Sequence, residues 1–253
     1  MKIAGASAIV TGAGSGLGAA TARLLAGLGA RVHVFDRNKV AAETVASDIG
    51  GVAIDGDVTS EADAARAVDE AAKAPGGLRI LVNCAGIGTA GRVLSKNGPL
   101  PLADFERVIR VNLIGTFNMM RLAAARMAET REQEDMARGV IINTASVAAF
   151  EGQVGQAAYA ASKGGIVSLA LPAARELARF GIRVNTIAPG LFLTPLIQAL
   201  PEEAQQSLAA AIPCPPRLGD PMEFAEAVRF AIENGYLNGE VIRLDGAIRM
   251  QPR

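Results

Sequence analysis

The chain has 253 residues, of which 50% are hydrophobic, 4% aromatic and 20% charged. Its 25 basic and 25 acidic residues leave a formal net charge of zero, so no long-range field attracts a polyanion and we expect no nucleic-acid partner. No uninterrupted apolar run approaches the roughly 18 residues that span a bilayer, so we expect no membrane association. The opening MKIAGASAIVTG lacks the basic and cleavage regions of a signal peptide, which predicts a cytoplasmic protein.

The low charge content also bears on assembly, because it falls below the ~25% of an average protein. A folded chain with few charges exposes more apolar surface, which contact between copies can bury, so we expect a homo-oligomer. The apolar C-terminal run Val241–Leu244 adds to this expectation, because little of the chain remains after it to cover it.

Cysteine and histidine usage narrows the chemistry. The two cysteines, Cys84 and Cys214, lie in unrelated contexts, which argues against a disulfide framework and a cysteine-rich zinc site. The one histidine, His33, lies in an alternating strand-like run, where half-burial is favoured over pH sensing. Ser-His-Asp and two-histidine zinc chemistry are disfavoured, so we expect no metal and look for acid–base groups among Tyr, Lys, Asp and Glu.

Short β-rich runs alternate along the chain with Ala- and Leu-rich stretches at helical spacing. The predicted strands are Ala6–Thr11, Arg31–Phe35, Val52–Asp55, Leu78–Asn83, Gly139–Ser146, Ile182–Ala188 and Glu240–Leu244. The predicted helices include Gly16–Leu28, Glu61–Lys73 and a long one near Ala103–Glu129. This alternation implies βαβ units, so we predict one α/β domain over 1–253, with a doubly wound, seven-stranded parallel sheet flanked by helices.

Two segments interrupt the alternation. Arg92–Leu102 is a polar, proline-containing insertion, and Leu193–Gly219 contains five prolines, which predict an irregular segment without regular hydrogen bonding. Each segment is either a lid or binding loop or a meandering surface connection. We favour a substrate lid for Leu193–Gly219, because it follows the carboxyl end of a strand, where ligands of open α/β sheets bind.

A glycine-rich turn joins the first strand to the first helix in TGAGSGLG (11–18). Such a turn lets the backbone approach a pyrophosphate, while the helix N-terminus offers free N–H groups and a positive dipole. The candidate cofactor-binding residues in this turn are Gly12, Ser15, Gly16, Leu17 and Gly18.

Asp36 ends the second strand, where a carboxylate can accept hydrogen bonds from the adenosine ribose. The same carboxylate repels a 2′-phosphate, so we predict NAD rather than NADP, although the adjacent Arg37 could bind that phosphate. Asp57 and Val58 follow the third strand and are candidates for contacts with adenine. Asp57 could equally cap the helix that begins near Ser60.

After the fourth strand, Cys84, Ala85 and Gly86 are small enough for a cofactor to approach the backbone, and they complete the nucleotide site. We expect Cys84 to pack beside the cofactor rather than to act as a nucleophile, because no basic residue adjoins it in sequence.

Tyr159 and Lys163 are spaced to lie on one helical face, and Ser146 ends the preceding strand at the same sheet edge. A nearby ammonium and a positive nicotinamide favour the phenolate, which makes Tyr159 a candidate general base for an alcohol proton. Ser146 would hydrogen-bond the same oxygen, and Lys163 would hold the nicotinamide ribose. The alternative is an ordinary Tyr/Lys pair on a helix surface.

Together these motifs resemble the short-chain dehydrogenase/reductase family over nearly the whole chain, with its Rossmann-type fold. The resemblance implies that Tyr159 is the acid–base, that Ser146 orients substrate, and that Lys163 binds ribose and lowers the tyrosine pKa. It further implies a water-positioning role for Asn112 and a contact of Thr194, beside Phe192, with the nicotinamide carboxamide. Cys84 replaces a family asparagine, which we expect to alter packing more than catalysis.

A narrower resemblance links the segments 139–167, 187–192, 217–221 and 238–252, and the insertion at Arg92–Leu102, to family members that oxidise 3-hydroxyacyl-CoA. It implies NAD as cofactor, a homotetramer, a short or branched 3-hydroxyacyl-CoA as substrate, and contact of Gln156 with that substrate. Three alternatives remain: a hydroxysteroid or other secondary-alcohol dehydrogenase, a 3-oxoacyl reductase, and a nucleotide-binding scaffold without catalysis.

Overall fold

The computed structural model describes residues 1–252, apart from the side chain of Leu196. Its main sheet has seven parallel strands in the order β3-β2-β1-β4-β5-β6-β7. The strands are β1 (Ser7–Thr11), β2 (Arg31–Asp36), β3 (Val52–Asp55), β4 (Leu78–Asn83), β5 (Gly139–Thr144), β6 (Ile182–Pro189) and β7 (Val241–Leu244). The helices are α1 (Gly16–Gly27), α2 (Lys39–Ile49), α3 (Glu61–Ala72), α4 (Leu102–Ile109), α5 (Gly115–Ala128), α6 (Ala157–Ala178), α7 (Pro195–Gln198), α8 (Glu202–Ala210) and α9 (Pro221–Glu233).

Helices cover both faces of the sheet, which is why β1, β4 and β5 are buried along their whole length. Alternate residues of β1 enter opposite cores. Val10 packs in a core that includes Leu25 of α1 and Phe224 of α9. Ile9 packs in the other core, with Met119 of α5. The predicted doubly wound α/β fold is confirmed.

The strand order reverses at β1, which pairs in parallel with both β2 and β4. In open α/β sheets, ligands bind outside the carboxyl ends of the strands at such a switch point. The glycine-rich turn follows β1 at this place, and Asp36 and Cys84 lie at the ends of the two neighbouring strands. The fold therefore gathers the predicted nucleotide residues at one edge.

Two predicted elements differ from the structure near the site. The strand predicted to reach Ser146 ends at Thr144, because Ser146 instead begins a 3₁₀ turn, where its hydroxyl accepts the Ala148 amide. The predicted long helix is divided into α4 and α5 by a π-helical turn, Arg110–Ile114. Single π turns in helices are frequent at functional sites, and this one carries Asn112.

The two interrupting segments contain regular structure. Arg92–Leu102 holds a short antiparallel hairpin between Leu94–Ser95 and Gly98–Pro99. Leu193–Gly219 contains α7 and α8, so the prediction that its prolines exclude regular hydrogen bonding is wrong for these stretches. Pro195 is the first residue of α7, and proline is tolerated there because that position needs no N–H.

Backbone hydrogen bonds bring the two ends of Leu193–Gly219 together. The Leu193 N–H donates to the Gly219 carbonyl oxygen at 2.8 Å, and the Gly219 N–H donates to the Leu191 carbonyl oxygen at 2.9 Å. The residues between these ends, 194–218, form a long connection that leaves the sheet after β6 and returns beside its starting point.

His33 is buried in β2, where its Nδ1 lies 3.3 Å from the Ala8 carbonyl oxygen and burial lowers its pKa. This agrees with the strand interpretation. Over residues 1–252, no helix is long and apolar enough to cross a membrane. Within that same range, no group of three or more His, Cys, Asp or Glu side chains is arranged to hold a metal ion.

Candidate active site

A cavity of about 760 Å³ opens along the carboxyl edge of the sheet. It brings together every predicted site residue except Asn112. These lining residues are Gly12, Ser15, Gly16, Leu17, Gly18, Asp36, Asp57, Val58, Cys84, Ala85, Gly86, Ser146, Gln156, Tyr159, Lys163, Phe192 and Thr194. Residues that are 100 or more positions apart in sequence thus line the same cavity.

The glycine-rich turn is tight at Gly12, whose φ is 62°. A Cβ there would lie 2.8 Å from the Ala85 backbone, so a side chain would force the two loops apart. The following helix α1 begins at Gly16 with Ser15 as N-cap, and no side chain in the described chain caps it. Its first amides therefore lack intrahelical partners and are available to an anion in the cavity.

Asp36 is held in place by two backbone amides. Its Oδ2 accepts the Gly14 N–H at 2.9 Å, and its Oδ1 accepts the Asn38 N–H at 2.9 Å. The carboxylate is thereby fixed beside the glycine-rich turn. Arg37 also lines the cavity but is exposed.

Asp57 does not cap the next helix, which was one interpretation of its sequence. Ser60 is the N-cap of α3 and accepts the Asp63 N–H, whereas the Asp57 carboxylate accepts the Thr59 N–H at 2.8 Å. Val58 is buried, and the Asn118 side chain donates to its carbonyl oxygen. Both residues line the cavity beyond Asp36.

The Cys84–Gly86 segment is fixed to the first strand by Thr11, which sequence analysis did not single out. The Thr11 hydroxyl oxygen accepts the amides of Cys84 and Ala85, each at 3.1 Å. Burial raises the pKa of the Cys84 thiol to about 11. A thiol with a raised pKa keeps its proton at neutral pH, whereas a nucleophilic cysteine needs the thiolate.

Tyr159 and Lys163 lie on one face of α6, and the Lys163 Nζ is 5.8 Å from the centre of the Tyr159 ring. Lys163 is only 4% exposed, and its Nζ donates to the Thr144 carbonyl oxygen at 2.7 Å. Ser146 is also buried, at the start of the turn that follows β5. Two strand ends and one helix thus bring a phenol, an ammonium and a hydroxyl together.

Burial dominates the charge balance at this site. It raises the pKa of the Tyr159 phenol, an effect that the Ser146 hydroxyl partly opposes. It lowers the pKa of Lys163 to about 8. The predicted lowering of the Tyr159 pKa by Lys163 is therefore not seen in the free protein, since the lysine is itself desolvated and turned toward Thr144.

Asn112 is the one predicted residue whose side chain is used elsewhere. Its Oδ1 accepts the Ile87 N–H at 2.8 Å, and its Nδ2 donates to the Ile87 carbonyl oxygen at 3.0 Å and to the Ser162 hydroxyl at 2.9 Å. Among the described residues it is not part of the cavity lining. Its side chain fixes the loop after β4 against α6 through Ser162, the residue before Lys163.

The substrate end of the cavity includes residues that sequence analysis missed. Ile197 and Met250 line it together with Gln156. Met250 lies in the segment 238–252 that carries the narrower resemblance, but it was not singled out there as a site residue. Arg92 and Lys96 are exposed on the hairpin segment.

Comparisons with known proteins give the family. The short chain dehydrogenase model matches residues 6–205. A 3-hydroxyacyl-CoA dehydrogenase type-2 of Bos taurus is 54% identical over 255 residues, 99% of this chain and 98% of the relative.

Two solved structures extend this likeness to the fold. The crystal structure of 3-hydroxyacyl-CoA dehydrogenase type-2 from Mycobacterium avium has a TM-score of 0.95 and 44% identity and covers 98% of each chain. A 7α-hydroxysteroid dehydrogenase complexed with NADH and 7-oxo glycochenodeoxycholic acid has a TM-score of 0.88 and 32% identity, over 100% of this chain and 97% of that one. The predicted resemblance is confirmed, and the chain belongs to the short-chain dehydrogenase family.

Proposed function

We propose that this protein oxidises the 3-hydroxyl group of short or branched 3-hydroxyacyl-CoA thioesters to the 3-oxo group, with NAD as cofactor. The observation that carries the proposal is the single cavity that joins Asp36 and the glycine-rich turn to Tyr159, Lys163 and Ser146. The 54% identity to a relative named for this activity supports the choice of substrate.

The nucleotide end fits a dinucleotide. The uncapped start of α1 suits a pyrophosphate, because its free amides and the helix dipole favour an anion. The fixed Asp36 carboxylate suits ribose hydroxyls and disfavours a 2′-phosphate, which supports NAD over NADP. Asp57 and Val58 would border the adenine, and Thr194 and Phe192 the nicotinamide.

The reactive end suits proton transfer. A bound oxidised nicotinamide supplies the hydride acceptor and a positive charge in this cavity. Tyr159 takes the proton of the substrate hydroxyl, and Ser146 hydrogen-bonds the same oxygen as it becomes a carbonyl. The nicotinamide's positive charge, together with the Lys163 ammonium, would favour the phenolate that takes this proton, against the burial that keeps Tyr159 neutral in the free protein. Lys163 also offers N–H donors to a ribose, and the exclusion of water strengthens these interactions.

A neighbouring cavity offers room for a thioester arm. It has a volume of about 360 Å³ and shares Thr89 and Ala90 with the main cavity. Leu100 and Arg107 line its other side, at the base of the hairpin that carries Lys96. An arm that follows this path leads from the reacting carbon toward Arg107, which pairs with Asp104 at 3.6 Å, and toward the hairpin that carries Lys96. We propose that the CoA phosphates meet the exposed Lys96 ammonium rather than the paired Arg107.

The test is a substrate panel with purified protein. We expect 3-hydroxyacyl-CoAs to exceed simple secondary alcohols and steroid alcohols in kcat/KM, and a truncated thioester with the same acyl group to lose kcat/KM, because remote CoA contacts supply binding energy. The structural likeness to a hydroxysteroid dehydrogenase makes steroids the second candidate. A tenfold advantage of steroids or simple alcohols over every thioester would replace the acyl-CoA proposal.

A further inference from the structure

The C-terminal tail, residues 245–252, returns across the loop that lies between Ser146 and Tyr159. The Val154 N–H donates to the Pro252 carbonyl oxygen at 3.0 Å, and the Gln153 side chain donates to the Gln251 carbonyl oxygen at 2.9 Å. The tail therefore runs beside residues 151–156, which end at the candidate substrate residue Gln156. This places it at the reactive end of the cavity, away from the nucleotide turn.

Glu151 is the centre of the contacts that hold the tail. Its Oε2 accepts the Met250 N–H at 2.9 Å, and its Oε1 pairs with Arg243 at 2.8 Å and with Arg249 at 3.3 Å. The Arg243 side chain keeps the pKa of Glu151 below its usual value, so the carboxylate is charged at neutral pH. One carboxylate thus joins the loop, the last strand and the tail.

Arg243 strengthens this attachment from the other side. Its guanidinium pairs with Asp245 at 2.7 Å, donates to the Ile248 carbonyl oxygen and lies 5.2 Å from the centre of the Phe150 ring. Ile248 is buried. The backbone before Met250 is therefore fixed at several points, so the Met250 side chain is presented to the cavity from a defined position.

We infer that Met250 is a specificity-determining residue that forms a wall of the acyl pocket, and that Glu151 is the residue that positions it. Met250 lines the same cavity as Ser146, Ala148 and Gln156. Its thioether is apolar and flexible, which suits contact with an alkyl chain of variable shape. That the substrate carries an acyl chain rests on the proposed function. The position of Met250, however, would limit the length of any substrate held at Ser146 and Tyr159.

The test compares kcat/KM for 3-hydroxybutyryl-CoA and 3-hydroxyoctanoyl-CoA in Met250→Ala and Met250→Phe. Met250→Ala removes part of the wall and should raise the ratio of the longer to the shorter substrate by about tenfold, the scale on which pockets discriminate alkyl groups. Met250→Phe should lower the same ratio. KM for NAD should stay unchanged in both. Met136→Ala, an exposed methionine outside the cavity lining, is the matched control and should leave the ratio unchanged.

Glu151→Gln tests the positioning role, because it keeps the side chain's size but removes the charge that holds both arginines. It should shift the ratio in the direction of Met250→Ala, and the double variant should shift it no further than Met250→Ala alone. If Glu151 only stabilised the fold, Glu151→Gln would leave the substrate ratio unchanged, or its effect would add to that of Met250→Ala in the double variant. Additive effects would therefore overturn the positioning role.

If both Met250 variants kept the wild-type ratio of kcat/KM for the two substrates, the proposal that Met250 forms a wall of the acyl pocket would be wrong. If one variant fails to fold, the other still decides, since the two are expected to change the ratio in opposite directions. A matched pair of short and long secondary alcohols is measured in parallel. If wild type turns over no thioester, the proposed function fails, whereas the alcohol pair still reports whether Met250 limits the length of the substrate.

Discussion

The Nζ atom of Lys163 lies over the Tyr159 ring, 5.8 Å from its centre. Both side chains are desolvated, and burial raises the pKa of the tyrosine while it lowers that of the lysine. In the free protein both groups are therefore biased toward their neutral forms. Positive charge in the cavity, as an oxidised nicotinamide would supply, favours the phenolate and so opposes the effect of burial on Tyr159.

Tyr159→Phe should reduce kcat by roughly 10²- to 10⁴-fold, the usual contribution of a positioned acid–base group. Only the proton-transferring oxygen is lost, so the affinity for NAD, measured by fluorescence or calorimetry, should change little. Tyr236→Phe is the control, because this other tyrosine is fully exposed. Activity of Tyr159→Phe within tenfold of wild type would exclude the acid–base role.

Lys163 should make the protein more stable as the pH rises above neutrality. An unfolded lysine keeps its proton up to about 10.5, whereas burial lowers the pKa of Lys163 to about 8. Between these values the unfolded state binds more protons, so this group's contribution to stability increases with pH. Relative to Lys163→Met, wild type should gain roughly 1 kcal/mol in the free energy of unfolding between about pH 7 and 9.

The comparison with Lys163→Met is needed because a neighbouring group acts in the opposite sense. Burial raises the pKa of Cys84 to about 11, so its contribution to stability is lost as the pH rises above the value of an unfolded cysteine. Because Cys84 and Lys163 also shift each other's pKa, both proteins are compared in a Cys84→Ala background, where this contribution is absent. A constant difference from urea titrations at the two pH values would contradict the buried, partly deprotonated lysine.

The nucleotide end could be predicted because its signals are local. The glycine-rich turn and Asp36 each stand next to a strand, and parallel strands place their carboxyl ends at one edge. Asn112 could be identified by resemblance, but its hydrogen bonds to Ile87 and Ser162 depend on a π turn that no residue type in the sequence marks.

The substrate end could not be predicted in the same way. Met250 lines the cavity on a tail that is held by long-range contacts, such as the bond from its amide to Glu151, about a hundred positions earlier. Such a contact is set by tertiary packing and leaves no periodic pattern. The helices in Leu193–Gly219 were missed for a different reason, because Pro195 and Pro201 stand at helix starts, where proline does not interrupt hydrogen bonding.

Asp36→Ala should narrow the preference for NAD over NADP by about an order of magnitude or more, which corresponds to roughly 1.4 kcal/mol. The variant removes the fixed negative charge and leaves Arg37 free to meet a 2′-phosphate. The measurement is kcat/KM for each cofactor. Asp55→Ala is the matched control, since Asp55 pairs in register with Asp36 on the next strand and lies outside the cavity lining described. A wild-type protein without NAD preference would show that Arg37 governs the pocket.

We expect the protein to be a homotetramer. Ile114, Phe117 and Leu171 are exposed apolar side chains on the α5 and α6 side of the molecule, and Met222 and Phe230 form a second exposed set on α9. Two separate self-complementary faces would generate a tetramer with two kinds of dimer contact. The C-terminal tail packs on the chain's own loop, so the expectation of a tetramer is argued here from the exposed apolar side chains of the helices.

Light scattering should therefore give about four times the chain mass of 26.0 kDa. Phe117→Glu should break one kind of contact and yield dimers, whereas Val40→Glu, at an exposed position on α2, should leave the mass unchanged. A wild-type mass near that of one chain at micromolar concentration contradicts the assembly.

The segment Leu193–Gly219 should act as a lid whose central part moves while its ends stay fixed. The ends are joined by the backbone bonds between Leu193 and Gly219, and a second anchor is provided by Ile212, which is buried. Between these anchors α7 and α8 are largely exposed, and Ile197 of α7 lines the cavity. Few contacts oppose local opening of α7 and α8, which places them at the low-stability end of the fold.

Hydrogen exchange should therefore show weak protection across Pro195–Ala210 in the free protein and strong protection near Ile212. Binding of NAD and substrate together should raise protection across Pro195–Ala210, because Thr194 and Ile197 then contact ligand, while the anchors change little. The solvent-exposed helix α2 serves as an internal reference that is remote from the substrate end. Equal protection of Pro195–Ala210 with and without ligands would make the segment an ordinary packed connection, since a lid must lose freedom when it closes.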